Sequence, residues 1–278
     1  MKTTTKRLAL GISLFAGALA ATQVLASDDK FAAYRDALAG DNPGEFWIDD
    51  GKKLFFEKRG PKKASLEQCD FGLGPGVLKG AYAQLPRYFK DTNKVETLEG
   101  RILTCMEKLQ GIKPEEAVKM TYLNAAEEDS RPDDLTKIAT YIAAQSNGMK
   151  FDVQPRNAQE QHALELGKKM FWRRQGAMDL ACADCHANTQ GKQLRGVDLP
   201  DMTDIKTAGK VMTAFPAYVL KDSNVRGQWW RNERCVLAMR LPWLKTGSEI
   251  DAALTLYMLN FASQSEEKIQ VPGIKPRA

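Results

Sequence analysis

CADCH, residues 182–186, is the stretch that decides how this chain folds. Two thiols separated by two residues can each add across a haem vinyl group to form a thioether. A histidine directly after the second is placed to bind the iron from the proximal side. The pattern reads as c-type haem attachment, and imidazole is a usual axial donor to haem iron. A bare CxxC is open to zinc, redox-disulfide and haem readings; His186 and the cell compartment narrow it to one covalently bound haem c held by Cys182, Cys185 and His186.

The compartment is read from the N-terminus. Lys2, Lys6 and Arg7 precede an uncharged run that lasts until Asp28, and Val24-Leu25-Ala26 offers a small-residue cleavage site. This predicts a signal peptide over residues 1–26 and a mature periplasmic protein beginning near Ser27, where disulfides persist. The apolar run is short for a bilayer crossing, and no second one follows, so no membrane span is expected in the mature form. Removing the leader takes away three positive charges and lowers the formal net charge from +5 to +2. A nearly neutral chain gives no argument for a nucleic-acid partner. Local pairs such as Lys168-Lys169 and Arg173-Arg174 read first as solvated faces, with steering of an anion or acidic partner as the alternative.

Working outward from CADCH, the chain repeats itself. GKKLFFEKRG at 51–60 matches GKKMFWRRQG at 167–176, an offset of 116. Carried forward, that offset sets Cys69 on Cys185, Leu66 on Cys182 and Asp70 on His186. The first copy keeps one of three attachment residues and cannot hold a c-type haem. A second block repeats at an offset of 130: LPRY at 85–88 on FPAY at 215–218, Arg101 on Arg231, Cys105 on Cys235. Apolar helical patterns around Tyr141 and Tyr257 close the copies and return to the offset of 116. The expected fold is mainly α, with two tandem cytochrome c-like domains, the first having lost its haem. The divisions are 27–150 for the haem-free domain and 151–278 for the haem domain. Residues 148–157 read as a polar linker interrupted by Pro155. A helix is predicted over 158–173, with Leu164, Met170 and Phe171 on its core face. Gly167 within it implies a close approach to another helix.

The distal side of the iron is less determined. His162, the other histidine, reads as a surface residue of its helix. Met202, Met212 and Met239 follow the motif, but methionine is also a common core filler. Five cysteines, less two on the haem, leave Cys69, Cys105 and Cys235, an odd remainder that suggests a reactive or ligated thiol. The repeat puts Cys69 and Cys105 where two sulfurs face each other across a haem site; with no haem between them they could close into a disulfide, leaving Cys235 to face the iron. Arg231, Arg234 and Arg240 surround Cys235, and Arg231 lies one helical turn before it on the same face. Nearby positive charge lowers a thiol pKa. From the residues alone, a buried free cysteine beside a solvated arginine cluster stands level with a functional site.

The tandem halves, CADCH in the second, and the Arg-x-x-x-Cys segment Arg231–Cys235 resemble the SoxA family, the haem-bearing subunits of L-cysteine S-thiosulfotransferase in bacterial sulfur oxidation. The resemblance spans the mature chain. It implies a monohaem member with a Cys69–Cys105 disulfide, Cys182 and Cys185 on the haem thioethers, and His186 as proximal ligand. It further implies Cys235 as distal ligand and active-site sulfur, often carried as a persulfide, with Arg231 holding the substrate sulfonate. The implied enzyme joins thiosulfate oxidatively to a cysteine of the SoxYZ carrier and passes electrons to c-type haem, with a SoxX-type monohaem cytochrome as partner. Two other activities fit the residues: a periplasmic electron-transfer cytochrome c without catalysis, or a thiosulfate dehydrogenase forming tetrathionate.

Overall fold

The structure, a computed structural model of the chain, describes residues 37, 40–113, 116–117, 133–189, 192–194, 197–241 and 244–275. The leader read at residues 1–26 lies outside them. The described chain is mainly helical, and its elements recur in two halves. In the first, α1 (Phe46–Phe56) precedes the short hairpin β1 (Arg87–Phe89) and β2 (Lys94–Glu96), α2 (Leu98–Cys105) and α3 (Asp134–Ala144). In the second, α4 (Ala158–Trp172) leads to the single turn α5 (Cys182–His186) and the small hairpin β3 (Gln193–Leu194) and β4 (Val197–Asp198). Then follow α6 (Ile205–Met212), β5 (Ala217–Val219), β6 (Asn224–Arg226), α7 (Gln228–Ala238), α8 (Glu249–Ala262) and β7 (Gly273–Lys275). β5 pairs antiparallel with β6 and parallel with β7.

Each half is closed by a crossing of its first and last helices, α1 on α3 and α4 on α8. A glycine sits at each crossing. A Cβ at Gly51 would overlap the Lys137 carbonyl and press on Tyr141, and one at Gly167 would overlap the Ala253 carbonyl and press on Tyr257. All of these positions differ by 116, so the same close approach occurs twice, and it is the reason helix-weakening glycine is kept there. The rings beside the crossings repeat too: Phe55–Tyr141 centroids are 5.6 Å apart and Phe171–Tyr257 centroids 5.2 Å. The single bridges Arg59–Ala64 and Gln175–Leu180 follow the same offset. The offset of 130 holds for the hairpins, where Arg87–Glu96 and Ala217–Arg226 are the equivalent register pairs. α4 ends at Trp172, one residue before the predicted boundary; Phe171 is buried, and Leu164 and Met170 pack at the core margin as expected.

Residues 148–157 are irregular but not a free polar linker. Phe151 and Val153 are buried, alternating with solvent-facing neighbours. The Asp152 amide donates to the Ala83 carbonyl at 2.8 Å on one side, and the Val153 amide to Ser263 Oγ at 3.0 Å on the other. The connection is thereby stitched into both halves. Tyr82 Oη donates to the Phe215 carbonyl at 2.8 Å, adding a bond between the halves.

Two buried carboxylates also meet between the halves. Glu99 on α2 and Asp251 on α8 line a cavity of about 20 Å³ with Tyr82, Met212, Gln228 and Trp229. Burial, with the Asp251 and Asp133 charges adding, pushes the Glu99 carboxyl up to about 7. Burial pushes Asp251 up to about 6 against the opposing Gly247 amide. In the unfolded chain both ionise near the ordinary carboxylate range. The protonated folded form therefore contributes stability at low pH that is lost as pH rises through about 6 to 7. Thermal denaturation from pH 5 to 8 is expected to show Glu99→Gln losing less stability than the parent, by on the order of 2 kcal/mol. Parallel curves for parent and variant would contradict it.

Candidate haem and sulfur site

α5 builds the CADCH turn. The Asp184 carboxylate accepts the Ala181 backbone N–H at 2.9 Å and an Arg174 N–H at 3.2 Å, closing the turn from outside. One helical turn sets Cys182 and Cys185 side by side; both are free, partly exposed thiols. His186 is held at 3.0 Å between Nδ1 and the Pro200 carbonyl. A carbonyl only accepts, so Nδ1 carries the proton and Nε2 keeps its lone pair, as an axial imidazole requires. Burial lowers the His186 pKa, and the Arg231 charge contributes in the same direction. That arginine therefore lies within electrostatic reach of the imidazole.

α7 brings the opposing residues. Its buried stripe is Trp229, Glu233 and Val236, spaced i, i+4, i+7. Arg231 and Cys235 fall on another face, one turn apart and partly exposed. Cys235 is in electrostatic contact with both Cys182 and Cys185. Burial, chiefly, with the Cys235 and Cys185 charges, pushes the Cys182 thiol up to about 11. For Cys235 burial also dominates and raises the pKa, while Arg231 and Arg234 pull it down. The arginines thus act in the expected sense but do not outweigh desolvation in the protein alone. Among the described residues no carboxylate lies within ion-pair distance of Arg231.

The structure gathers Cys182, Cys185, His186, Cys235 and Arg231 at one place. Among the described residues these donors do not converge as a chelating cage. Two thiols on one turn, an imidazole with a fixed free Nε2 and a separate sulfur from another helix instead fit a haem c: two thioethers and two axial positions. Met202 donates its amide to the His186 carbonyl at 2.8 Å, which keeps it on the proximal side. Met212 lines the cavity between the halves. Met239 is buried at the end of α7, one turn beyond Cys235. His162 is solvent-exposed on α4.

In the first half the matching place is filled. Leu66 and Phe71 are wholly buried, and Cys69 and Cys105 are joined by a disulfide with Cα atoms 5.7 Å apart. Asp70, opposite His186 in the repeat, accepts the Gly72 and Gly74 amides at 2.7 and 2.9 Å, shaping a turn. Pro200 and Asp184 were not singled out by the sequence. Their signal is only positional, a carbonyl and a carboxylate close to the CxxCH turn.

The first half, residues 50–151, matches the family model described as SoxA/TsdA, cytochrome c domain. L-cysteine S-thiosulfotransferase subunit SoxA of Hydrogenophilus thermoluteolus is 39% identical over 99% of this chain and 100% of its own length. A subunit of the same name from Hydrogenobacter thermophilus is 32% identical over 78% of this chain and 76% of its own. The crystal structure of SoxXA from P. pantotrophus matches with a TM-score of 0.65 at 24% identity, covering 88% of this chain and 84% of that one, which carries the cytochrome c-type fold. On its full-length similarity to these subunits, the chain belongs to the SoxA family of L-cysteine S-thiosulfotransferases.

Proposed function

We propose that this chain is the catalytic subunit that couples thiosulfate oxidatively to a cysteine of the SoxYZ carrier, with Cys235 as the reacting sulfur and Arg231 as the sulfonate clamp. The observation that carries it is that Arg231, which has no carboxylate partner among the described residues, lies one turn from Cys235 and within electrostatic reach of His186, while Cys235 in turn reaches the CADCH thiols. In this reading the two halves, divided at 150/151, are tandem cytochrome c-like domains. The first is haem-free, supported by a cytochrome c-domain match that falls on the half without CxxCH. One haem c would be tethered by Cys182 and Cys185, and His186 and Cys235 are the residues that would bind its iron. When bound, it supplies a one-electron acceptor and a metal that favours sulfur in its thiolate form.

The residues divide the chemistry simply. Cys235 thiolate and the terminal sulfur of thiosulfate form an S–S bond, giving Cys235–S–S–SO₃⁻ and releasing two electrons to c-type haem acceptors. The carrier thiolate then attacks the sulfur of that adduct bearing the sulfonate, forming carrier–S–S–SO₃⁻ and returning Cys235 thiolate. Arg231 presents planar paired donors to the sulfonate oxygens throughout. The Pro200 carbonyl holds the His186 ring in place. A SoxX-type monohaem cytochrome is the expected tight partner and electron exit, and the SoxXA title of the structural neighbour agrees with it. The leader over residues 1–26 assigns the mature protein to the periplasm, and no described helix is long and apolar enough to cross a membrane.

The test is product analysis on the haem-loaded, partner-assembled protein with thiosulfate, carrier and an oxidised cytochrome acceptor. Carrier mass should rise by one thiosulfonate, and Arg231→Ala should raise the thiosulfate KM by about tenfold or more. Tetrathionate formed equally with and without carrier would favour the dehydrogenase reading. Electron transfer with no sulfur product would favour the simple carrier.

A further inference from the structure

The repeat sets one arginine in two opposite electrostatic surroundings. In the first half Arg101 is clamped. Its Nη1 lies 3.0 Å from both carboxylate oxygens of Asp91 and 3.2 Å from Glu96 Oε2, and its Nε donates to the Asp70 carbonyl at 2.6 Å. The guanidinium also lies 4.0 Å above the Phe89 ring. Its Nε and Nη1 donors are thus already directed at the protein, and one face of the guanidinium is covered by Phe89.

At the offset of 130 the same positions in the second half read differently. Arg101 becomes Arg231, Asp91 becomes Lys221, Glu96 becomes Arg226, and Thr104, which donates to Glu96 at 2.8 Å, becomes Arg234. The correspondence is structural as well as sequential, because Glu96 and Arg226 occupy the same register position of equivalent hairpins. Both clamping acids have become bases. Arg226 is buried, 3.6 Å from Asp222 and 4.8 Å above the Trp230 ring, whose other contact is Arg234 at 5.5 Å. Asp222 and the Trp230 ring thus engage Arg226, the same ring engages Arg234, and among the described residues no carboxylate pairs with Arg231.

We propose that Arg226 and Lys221 are positioning residues that keep the Arg231 fork unclamped and the pocket positive, setting its preference for small divalent oxyanions that carry a sulfonate-like end. This rests on the reading of Arg231 as the substrate clamp and adds what makes that arginine available. A carboxylate at 226 would satisfy Arg231 internally, as Glu96 satisfies Arg101, and would compete with substrate for the same donors. The bases at 221 and 226 instead repel the guanidinium and add attraction for a dianion.

The experiment compares steady-state kinetics of the haem-loaded, partner-assembled protein carrying Arg226→Glu, Arg226→Gln, Arg226→Lys, Lys221→Asp or Arg231→Ala. Arg226→Glu is expected to raise the thiosulfate KM by about tenfold with kcat within about threefold, because ground-state and transition-state binding are lost together. Arg226→Gln removes charge without supplying a clamp and should raise KM only about threefold, while Arg226→Lys should stay near the parent. Lys221→Asp, at an exposed position, should raise KM in the same direction as Arg226→Glu and keeps the test alive if the buried variant does not fold. Equal KM values for the Glu and Gln variants, or an unchanged KM in Lys221→Asp, would overturn the proposal. If Arg231→Ala raises KM while neither acid variant does, this inference alone fails. If Arg231→Ala itself leaves KM unchanged, the reading of Arg231 fails with it.

Discussion

Cys235→Ala is expected to abolish carrier loading, by about a thousandfold or more, while the protein still carries its haem. The two consequences separate because the sulfurs do different work. Cys182 and Cys185 sit on α5 and His186 is fixed through Pro200, so the tethering and proximal ligation proposed for them do not involve residue 235. In the proposed function, what disappears is the sulfur that forms the first S–S bond, and removing a covalent nucleophile leaves only binding and orientation to act. The measurement is thiosulfonate on the carrier by mass spectrometry, alongside the haem absorbance of the purified variant. Retained loading in a haem-replete Cys235→Ala protein would remove the catalytic role from this residue and return the chain to electron transfer.

The largest structural effect is expected at a residue with no side chain. Gly167→Ala in a helix interior ordinarily gains about 0.5–1 kcal/mol from propensity. Here the added methyl would meet the Ala253 carbonyl and the Tyr257 side chain, and the backbone of α8 cannot yield as a flexible side chain would. The α4–α8 crossing would have to open, separating Phe171 from Tyr257 and exposing the core beneath. We expect a loss of about 3 kcal/mol in denaturant melts of the haem-loaded protein, opposite in sign to the propensity effect. Lys168→Ala, one residue along on the exposed face, should change stability by no more than about 0.5 kcal/mol. A neutral or stabilising Gly167→Ala would mean the helices do not touch there.

That crossing shows why so much of this fold was legible. Gly51 with Tyr141 and Gly167 with Tyr257 lie at one offset because both crossings obey one packing geometry, and glycine is the residue such a contact demands. The proposed role of CADCH is readable for a related reason, since covalent haem attachment would fix residue type and spacing together. The parts that escaped depend on partners remote in sequence. Phe151 and Val153 look incidental in a polar stretch until Ala83 and Ser263 approach from two sides. Glu99 and Asp251 are ordinary helix carboxylates until the halves bury both. At the site, adjacent arginines suggested a lowered Cys235 pKa, but burial, which sequence spacing does not report, outweighs them. The exchange of Asp91 and Glu96 for Lys221 and Arg226 stands in the repeat itself; its meaning appears only once Arg101 is seen clamped.

The residues most in contention as candidates for the distal side of the iron are Cys235 on α7 and Met239, one turn later, which caps the C-terminal end of that helix. Low-temperature electron paramagnetic resonance of the oxidised, haem-loaded protein separates them directly. A low-spin ferric signal of histidine–thiolate type, lost on Cys235→Ala, is the expected result. A histidine–methionine signal that survives the substitution would contradict the account.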